Sequence, residues 1–203
     1  MPKTIPFSKP VDTDVAIHPL IRDRWSPRAF ADRPVSVEDL TILLEAARWA
    51  PSSSNLQPWR FLVGRREDRA AFEKVLSVLV EFNQNWARNA PVLLLAVAKT
   101  TAQDGTTPNK WAAHDVGLAL SNLAIQATAL DLHVHYMAGF DGEKARQVFG
   151  FSHEYDAITA GAIGYVGDPD TLPDKLRERE LAPRKRKPLS EIAFGGNWGE
   201  PLL

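Results

Sequence analysis

The sequence predicts a single domain that is built from both α-helices and β-strands. Its 203 residues, 44% of them hydrophobic, are enough for one substantial core. A continuous apolar run over residues 92–98 is typical of a central strand that is buried on both faces. Amphipathic patterns over residues 37–49 and 66–88 predict helices that pack one apolar face against the core.

The amino-acid composition argues against several kinds of functional site and partner. The chain has no cysteine, which excludes disulfides, thiol nucleophiles and cysteine-ligated zinc or iron–sulfur sites. A net charge of -1 and a pI near 6.5 give no electrostatic reason to expect nucleic acid or an anionic membrane surface as a partner. Residues 1–7 lack the apolar core of a signal peptide, and no run approaches the ~20 apolar residues of a membrane span. We therefore expect a soluble cytoplasmic protein.

The N-terminal region is expected to form an extended arm over residues 1–11, which are spaced by prolines. A short helix is expected to begin at Asp12 or Thr13, because apolar residues follow at helical spacing. This helix delivers the basic segment 22–30.

The helix over residues 37–49 has a clear start and a clear stop. Ser36 is placed as its N-cap, and Glu38 and Asp39 lie in the first turn, where acidic groups suit the helix dipole. Pro51 prevents the helix from continuing.

The rest of the chain alternates between strand and helix patterns. Residues 100–107 predict a loop, and the charged, loosely patterned residues 170–183 predict surface. The helical pattern 110–131 is apolar around nearly its whole circumference, which favours burial against a partner subunit. The predicted strands are residues 60–63, 92–98, 133–137 and 157–166, and the remaining predicted helices are residues 66–88, 110–131 and 143–149.

The connection between the helix 37–49 and the strand 60–63 is unusually polar. It contains three consecutive serines, an asparagine and a glutamine, and Pro51 and Pro58 stiffen its two ends. We call residues 51–58 the anchor loop. Its composition suits a site for a ligand that is polar and planar or anionic, and it also suits an ordinary turn.

Two basic segments have a similar ambiguity. Guanidinium groups stay charged and bind pairs of oxygen atoms through forked donors. Residues 24–28 and the run 184–187 are therefore candidate anion sites, although either one alone equally fits a solvated basic patch.

Taken together, three segments resemble the signature of the nitroreductase family of flavin enzymes. They are Pro-Ser-Ser-x-Asn-x-Gln-Pro-Trp at residues 51–59, Arg-x-Ser-x-Arg-x-Phe at residues 24–30, and Arg-x-Arg-x-Pro-Leu at residues 184–189. The resemblance implies an α+β sandwich in which a central, mostly antiparallel sheet is flanked by helices. It also implies an intertwined homodimer with two FMN sites at the subunit interface.

The resemblance implies a role for each matching residue. Arg24 would address phosphate or ribityl oxygens, and Arg28 would face the N1/O2 edge of the flavin, which becomes negative on reduction. The implied cofactor-binding residues of one subunit are Arg24, Ser26, Arg28, Asn83, Arg184 and Arg186, those of the other are Pro51, Ser52, Ser53 and Asn55, and Trp25 and Gly139 complete the set.

The chain departs from the family pattern at two places. Some members carry a lysine three residues after the asparagine that matches Asn83, and here that position is Trp86, which suits either the substrate side of the ring or the core. A glutamate is often found where this chain has Ala138. Gly139 lets backbone approach the flavin N5, and the same segment also fits a plain strand-to-helix turn capped by Asp141.

His114 and Asp115 resemble a general base with its orienting carboxylate. Adjacent residues on a helix point about 100° apart, so we expect these two side chains not to pair and to serve as polar core or interface contacts. The few histidines show no metal-ligand spacing, and we assign no catalytic side chain and no metal.

The function implied by the resemblance is hydride transfer from NADH or NADPH, through FMN, to a small oxidised acceptor such as a nitroaromatic, a quinone or an enone. One alternative is a nitroreductase-fold enzyme of flavin-cleaving or dehalogenating type that is not driven directly by a nicotinamide. Another is a non-enzymatic module whose basic run 184–187 binds phosphate-rich partners.

Overall fold

The structure, a computed structural model, describes residues 8–11, 13 and 15–202. Among these residues the strands are β1 (Trp59–Arg65), β2 (Val92–Lys99), β3 (His133–Met137) and β4 (Tyr155–Gly164). The helices are α1 (Pro19–Asp23), α2 (Val37–Arg48), α3 (Arg69–Val78), α4 (Glu81–Ala87), α5 (Ala112–Ala129), α6 (Gly142–Phe149) and α7 (Asp174–Leu181). None of the helices in this described part of the chain is long and apolar enough to cross a bilayer.

The four strands form one antiparallel sheet in the order β1-β2-β4-β3. Strand β2 lies inside the sheet, and every residue from Val92 to Ala98 is buried, as the continuous apolar run predicts. The predicted antiparallel α+β architecture is confirmed.

Helices cover both faces of the sheet because successive strand residues point to opposite sides. Leu94 and Ala96 of β2 pack in a cluster with α2 and α5. Leu93, Leu95 and Val97 pack on the other face in a cluster built from α3, α4, α6 and α7. This three-layer arrangement is the predicted sandwich.

Helix α2 begins and ends as the sequence predicts. The Ser36 hydroxyl accepts a hydrogen bond of 2.9 Å from the backbone N–H of Asp39, and the last helical residue is Arg48. Leu43 and Ala47 lie on its buried face, which fixes where the anchor loop leaves the helix.

The predicted start of the first helix is wrong. Asp12 and residues 1–7 lie outside the described residues, but residues 15–18 are not helical and α1 begins only at Pro19. His18 is extended, as a residue before proline prefers to be, and its Nδ1 accepts from the Leu20 N–H at 3.2 Å. The proline therefore starts the helix instead of lying within it.

The single helical stretch predicted over residues 66–88 is also wrong, because it is divided into α3 and α4 at Leu79 and Val80. The backbone of these two residues pairs with the turn after β3: Val80 N–H donates to the Gly139 carbonyl at 3.1 Å, and Leu79 forms a bridge with Phe140. Val80, within the predicted helical stretch, is exposed. The break places the start of α4 directly against the turn at Gly139.

The sequence predicts residues 170–183 as surface, but not all of these residues are exposed. They contain helix α7, whose Leu176 and Glu180 are buried one helical turn apart. This helix packs against the segment that carries Arg28.

Candidate active site

The basic segment 24–30 runs beside the edge strand β3. The Pro27 carbonyl lies 2.9 Å from Nδ1 of His135 on that strand. Further along, the Ala29 carbonyl accepts from the Gly167 N–H at 2.9 Å, just beyond β4. The segment is therefore fixed to this edge of the sheet by backbone contacts that do not use its guanidinium groups.

The guanidinium groups of Arg24, Arg184 and Arg186 form a concentration of positive charge at this segment. Burial lowers the pKa of Arg24, and the nearby charge of Arg186 lowers it further. Burial also lowers the pKa of Arg184, and the charges of Arg24 and Arg186 act in the same direction. Such a group of mutually repelling cations is stabilised by a bound anion.

Arg184 also has a structural role that the sequence did not predict. Its Nη1 donates to the Lys9 carbonyl at 2.9 Å and to the Arg22 carbonyl at 2.7 Å. It therefore ties the N-terminal arm and the end of α1 to the C-terminal basic run. Arg186 is more exposed and, among the described residues, makes no such connection between segments.

Arg28 lies over the core of the protein. Its guanidinium carbon is 5.9 Å from the centroid of the Trp86 ring, and its Nε is buried with no hydrogen-bond partner among the described residues. Trp86 is only 1% exposed, so it packs in the core and does not present its ring to a substrate. Burial lowers the pKa of Arg28, and the negative charge of Glu180 opposes this effect.

Asn83 and Gly139 are in direct contact. Asn83 Nδ2 donates to the Gly139 carbonyl at 2.9 Å, and a Cβ atom at Gly139 would lie 2.5 Å from that nitrogen. A larger residue at position 139 would force the Asn83 amide or the turn to shift. The same turn also starts α6, because the Asp141 carboxylate accepts from the Lys144 N–H at 2.9 Å, so both interpretations of this segment hold.

Two histidines of β3 complete this side of the site. Burial lowers the pKa of His133 and of His135 to about 4, and the charges of Arg24 and Arg28, respectively, contribute. The His133 ring packs edge-on against Trp25, which is buried. Both imidazoles are neutral near pH 7, so they do not add to the positive charge of the arginines.

The anchor loop has a strained backbone. Ser54, Asn55 and Gln57 have positive φ angles of 49°, 53° and 46°, a region that side chains other than glycine adopt at some cost. Local hydrogen bonds hold this conformation: Ser52 Oγ accepts from the Gln57 N–H at 3.1 Å, and Gln57 Nε2 donates to Asn55 Oδ1 at 3.1 Å. The loop is thus preorganised within one chain.

Asp115 joins the anchor loop to α5. Its carboxylate is buried and accepts from the Ser53 N–H at 3.0 Å. The other oxygen of Asp115 lies 3.0 Å from His114 Nδ1, so the expectation that these neighbours do not pair is wrong. Their Cβ atoms diverge on the helix, but rotation about the side-chain torsions brings the polar ends together.

The two predicted parts of the site lie at opposite edges of the sheet in one chain. Residues 24–28 flank the edge strand β3, whereas the anchor loop leads directly into the edge strand β1. Strands β2 and β4 lie between them, a separation of about 14 Å at the usual strand spacing.

The sequence patterns do not predict the role of Glu180. Asp115 is a buried polar contact, as predicted, but its bond to the anchor loop is not predicted. A signal was present for Glu180, because it lies four residues after the apolar Leu176 and so on the same helix face. Among the described residues, no group of three or more histidine, aspartate or glutamate side chains is placed to hold a metal ion.

Fold and site together define an α+β protein with a cluster of arginines at one edge of an antiparallel sheet. The sequence model of the nitroreductase family matches residues 21–165. The chain therefore belongs to the nitroreductase family.

Individual relatives are similar over different shares of the chain. A solved structure described as an oxidoreductase containing FMN is 37% identical, covers 94% of this chain and 96% of its own, and superimposes with a TM-score of 0.88. A Streptomyces coelicolor protein, provisionally assigned as an NADH dehydrogenase/NAD(P)H nitroreductase, is 40% identical over 80% of this chain and 90% of its own length. A nitrobenzene nitroreductase of Ectopseudomonas oleovorans is 48% identical, but over 34% of this chain and 29% of its own.

Proposed function

We propose that this protein is a homodimeric, FMN-dependent oxidoreductase that transfers a hydride from NADH or NADPH to a small oxidised acceptor. The observation that carries the proposal is the cluster of Arg24, Arg184 and Arg186, whose charges repel one another beside the sheet edge. A phosphate dianion relieves that repulsion. The FMN of the 37% identical structural neighbour supports the same choice of ligand.

The residues present fit FMN. FMN, when bound, supplies hydride acceptance and donation at its N5 atom. Arg28 has a half-buried positive charge whose Nε has no hydrogen-bond partner among the described residues, and it would hold the N1/O2 edge of the flavin. Asn83 donates to the carbonyl of Gly139 and so orients the turn whose backbone would hold the flavin ring. The protein thus contributes binding, orientation and charge.

The separation of the two site halves supports a homodimer. Within one chain the anchor loop and the arginine cluster lie at opposite sheet edges, so a partner subunit brings the loop of one chain to the cluster of the other. Large apolar side chains near the loop also need a partner: Trp49 is 73% exposed and Trp111 is 58% exposed. One two-fold interface with a second copy of this chain would cover the exposed tryptophans and also bring the anchor loop to the arginine cluster.

The acceptor is the least constrained part of the proposal. The Ectopseudomonas oleovorans relative acts on nitrobenzene by its name, which supports a nitroaromatic, although quinones and enones have the same requirement for a hydride and a proton. The name of the Streptomyces coelicolor relative supports NADH or NADPH as the reductant.

A subunit-mixing experiment tests the two-subunit site. Arg186→Glu reverses a charge of the arginine cluster, and Asn55→Asp alters the anchor loop; both residues are exposed, so neither change should unfold the chain. Each variant alone should bind FMN poorly.

Refolding the two variants together should restore FMN binding at about a quarter of all sites. Random assortment makes half of the dimers mixed, and each mixed dimer has one intact site. No recovery in mixtures that are demonstrably dimeric would contradict a site shared between subunits.

A further inference from the structure

Glu180 is the most deeply buried carboxylate near the basic segment 24–30, which we call the arginine segment. It lies at the end of α7 and is 1% exposed. Charged side chains are rarely buried so completely unless they are paired. The contacts of Glu180 must therefore offset the free-energy cost of burying its charge.

The Glu180 carboxylate holds the backbone on which Arg28 is mounted. Its Oε1 accepts from the Arg28 N–H at 2.8 Å and from the Ala29 N–H at 3.1 Å. These two successive amides point to one oxygen, although Glu180 follows them by about 150 residues in the sequence. The direction in which the Arg28 side chain leaves the backbone is thus set from α7.

The charge of Glu180 also acts on the cations around it. The carboxylate raises the pKa of both Arg28 and Lys9, against the effect of burial. Its second oxygen, Oε2, and the Nε of Arg28 are both buried without a hydrogen-bond partner among the described residues. The negative charge therefore offsets part of the guanidinium charge without a fixed ion pair.

Lys9 contacts both the backbone of Glu180 and the ring of Trp25. Its Nζ donates to the Glu180 backbone carbonyl at 2.6 Å and lies 5.4 Å from the centroid of the Trp25 ring. The end of α7 is therefore anchored by the N-terminal arm, and it cannot shift away from the arginine segment without breaking this contact.

We propose that Glu180 is a positioning residue for Arg28, which fixes the arginine segment through two backbone hydrogen bonds and tempers the positive charge that Arg28 presents to the cofactor. This role rests on the proposed function for its charge effect. The backbone hydrogen bonds are a property of the protein without cofactor.

Two variants separate the hydrogen bonds from the charge. Glu180→Ala removes both, whereas Glu180→Gln keeps an oxygen acceptor and loses the charge. Glu178→Ala, on the exposed side of the same helix, is the matched control. The readouts are amide hydrogen exchange of the flavin-free protein at Arg28 and Ala29, the Kd for FMN, and the midpoint potential of the bound FMN.

In Glu180→Ala we expect both amides to exchange at least about tenfold faster and the Kd for FMN to rise about tenfold, because two buried donors lose their acceptor. In Glu180→Gln we expect near-parent exchange and a more positive midpoint potential, because the charge of Arg28 is no longer offset and favours the reduced, more negative cofactor. Glu178→Ala should change none of these readouts.

Unchanged exchange at both amides in Glu180→Ala would overturn the positioning role. If that variant does not fold, Glu180→Gln decides, because a midpoint potential that stays or becomes more negative contradicts the charge effect. A chain that binds no FMN would refute the proposed function, and the exchange measurement on flavin-free protein would still test the role of Glu180.

Discussion

Ser53 and Asp115, 62 positions apart in the sequence, are joined by a hydrogen bond of 3.0 Å from the Ser53 backbone N–H to a buried carboxylate oxygen. This bond ties a loop with three residues of positive φ to the first turn of α5. Backbone strain of this kind persists only when the surrounding structure holds it. Asp115 contributes to this from outside the loop, through its bond to Ser53.

Replacing Asp115 by alanine should destabilise the chain by about 2 kcal/mol and weaken FMN binding, because a hydrogen bond to a charged acceptor is lost. Asp115→Asn retains an oxygen that can accept from Ser53 and should lose less. His114→Ala is the control, since His114 touches the other carboxylate oxygen and is largely exposed. Urea denaturation and FMN titration measure both effects, and equal losses in all three variants would contradict this role.

Arg186→Ala should weaken the binding of FMN by about tenfold, because a charge-assisted contact to phosphate is removed. It should leave the affinity for riboflavin, which has no phosphate, nearly unchanged. Arg186 is preferred to Arg184 for this test because it does not hold other segments of the backbone. Lys185→Ala, within the same basic run 184–187, is the control. If Arg186→Ala weakened the binding of riboflavin as much as that of FMN, a phosphate contact would be contradicted.

Gly139→Ala should destabilise the protein by about 1–3 kcal/mol, because the new methyl group overpacks the turn. The added Cβ would lie 2.5 Å from Asn83 Nδ2 and 2.9 Å from a methyl carbon of Val80. Gly142→Ala, three residues later, meets nothing within 4 Å and should be neutral or stabilising. Similar unfolding midpoints for the two variants would contradict overpacking, because the turn would then accommodate the methyl group at little cost.

Protein stability should fall as the pH falls from about 6.5 to about 4. The pKa of His133 and of His135 is lowered to about 4 in the folded chain, chiefly by burial, so in this window the unfolded chain binds protons that the folded chain does not. The expected slope is up to ~1.4 kcal/mol per pH unit for each histidine. Above pH 6.5 the full contribution is present.

The variant His135→Asn should flatten this pH dependence of the urea midpoint. Slopes are compared instead of absolute stabilities, because the substitution also changes packing against Trp86. His153→Asn, at an exposed position, is the control and should keep the parent slope. A parent slope in His135→Asn would mean that the protons are taken up elsewhere.

Local patterns in the sequence predicted most of the fold. The Ser36 cap, the apolar run of β2 and the Asp141 turn each depend on neighbouring residues, and each is confirmed. The break between α3 and α4 was missed because it depends on backbone pairing with Phe140, which is far away in the sequence.

The site was harder to predict than the fold. The three family segments predict the anchor loop and the arginines as site residues, because short motifs can be recognised in a sequence. The groups that hold those segments are harder to find in the sequence. Asp115 and Glu180 act through backbone N–H groups of Ser53 and Arg28, so no side-chain pairing in the sequence points to them.

The most direct test of the whole account is the visible absorption spectrum of the purified protein, recorded before and after NADH or NADPH is added without oxygen. We expect flavin bands, with FMN added during purification where needed, and we expect them to bleach on addition of the nicotinamide. Bands that persist would keep FMN but contradict a nicotinamide-driven oxidoreductase, in favour of a flavin-cleaving or dehalogenating enzyme. A protein that takes up no FMN would contradict the account at its centre.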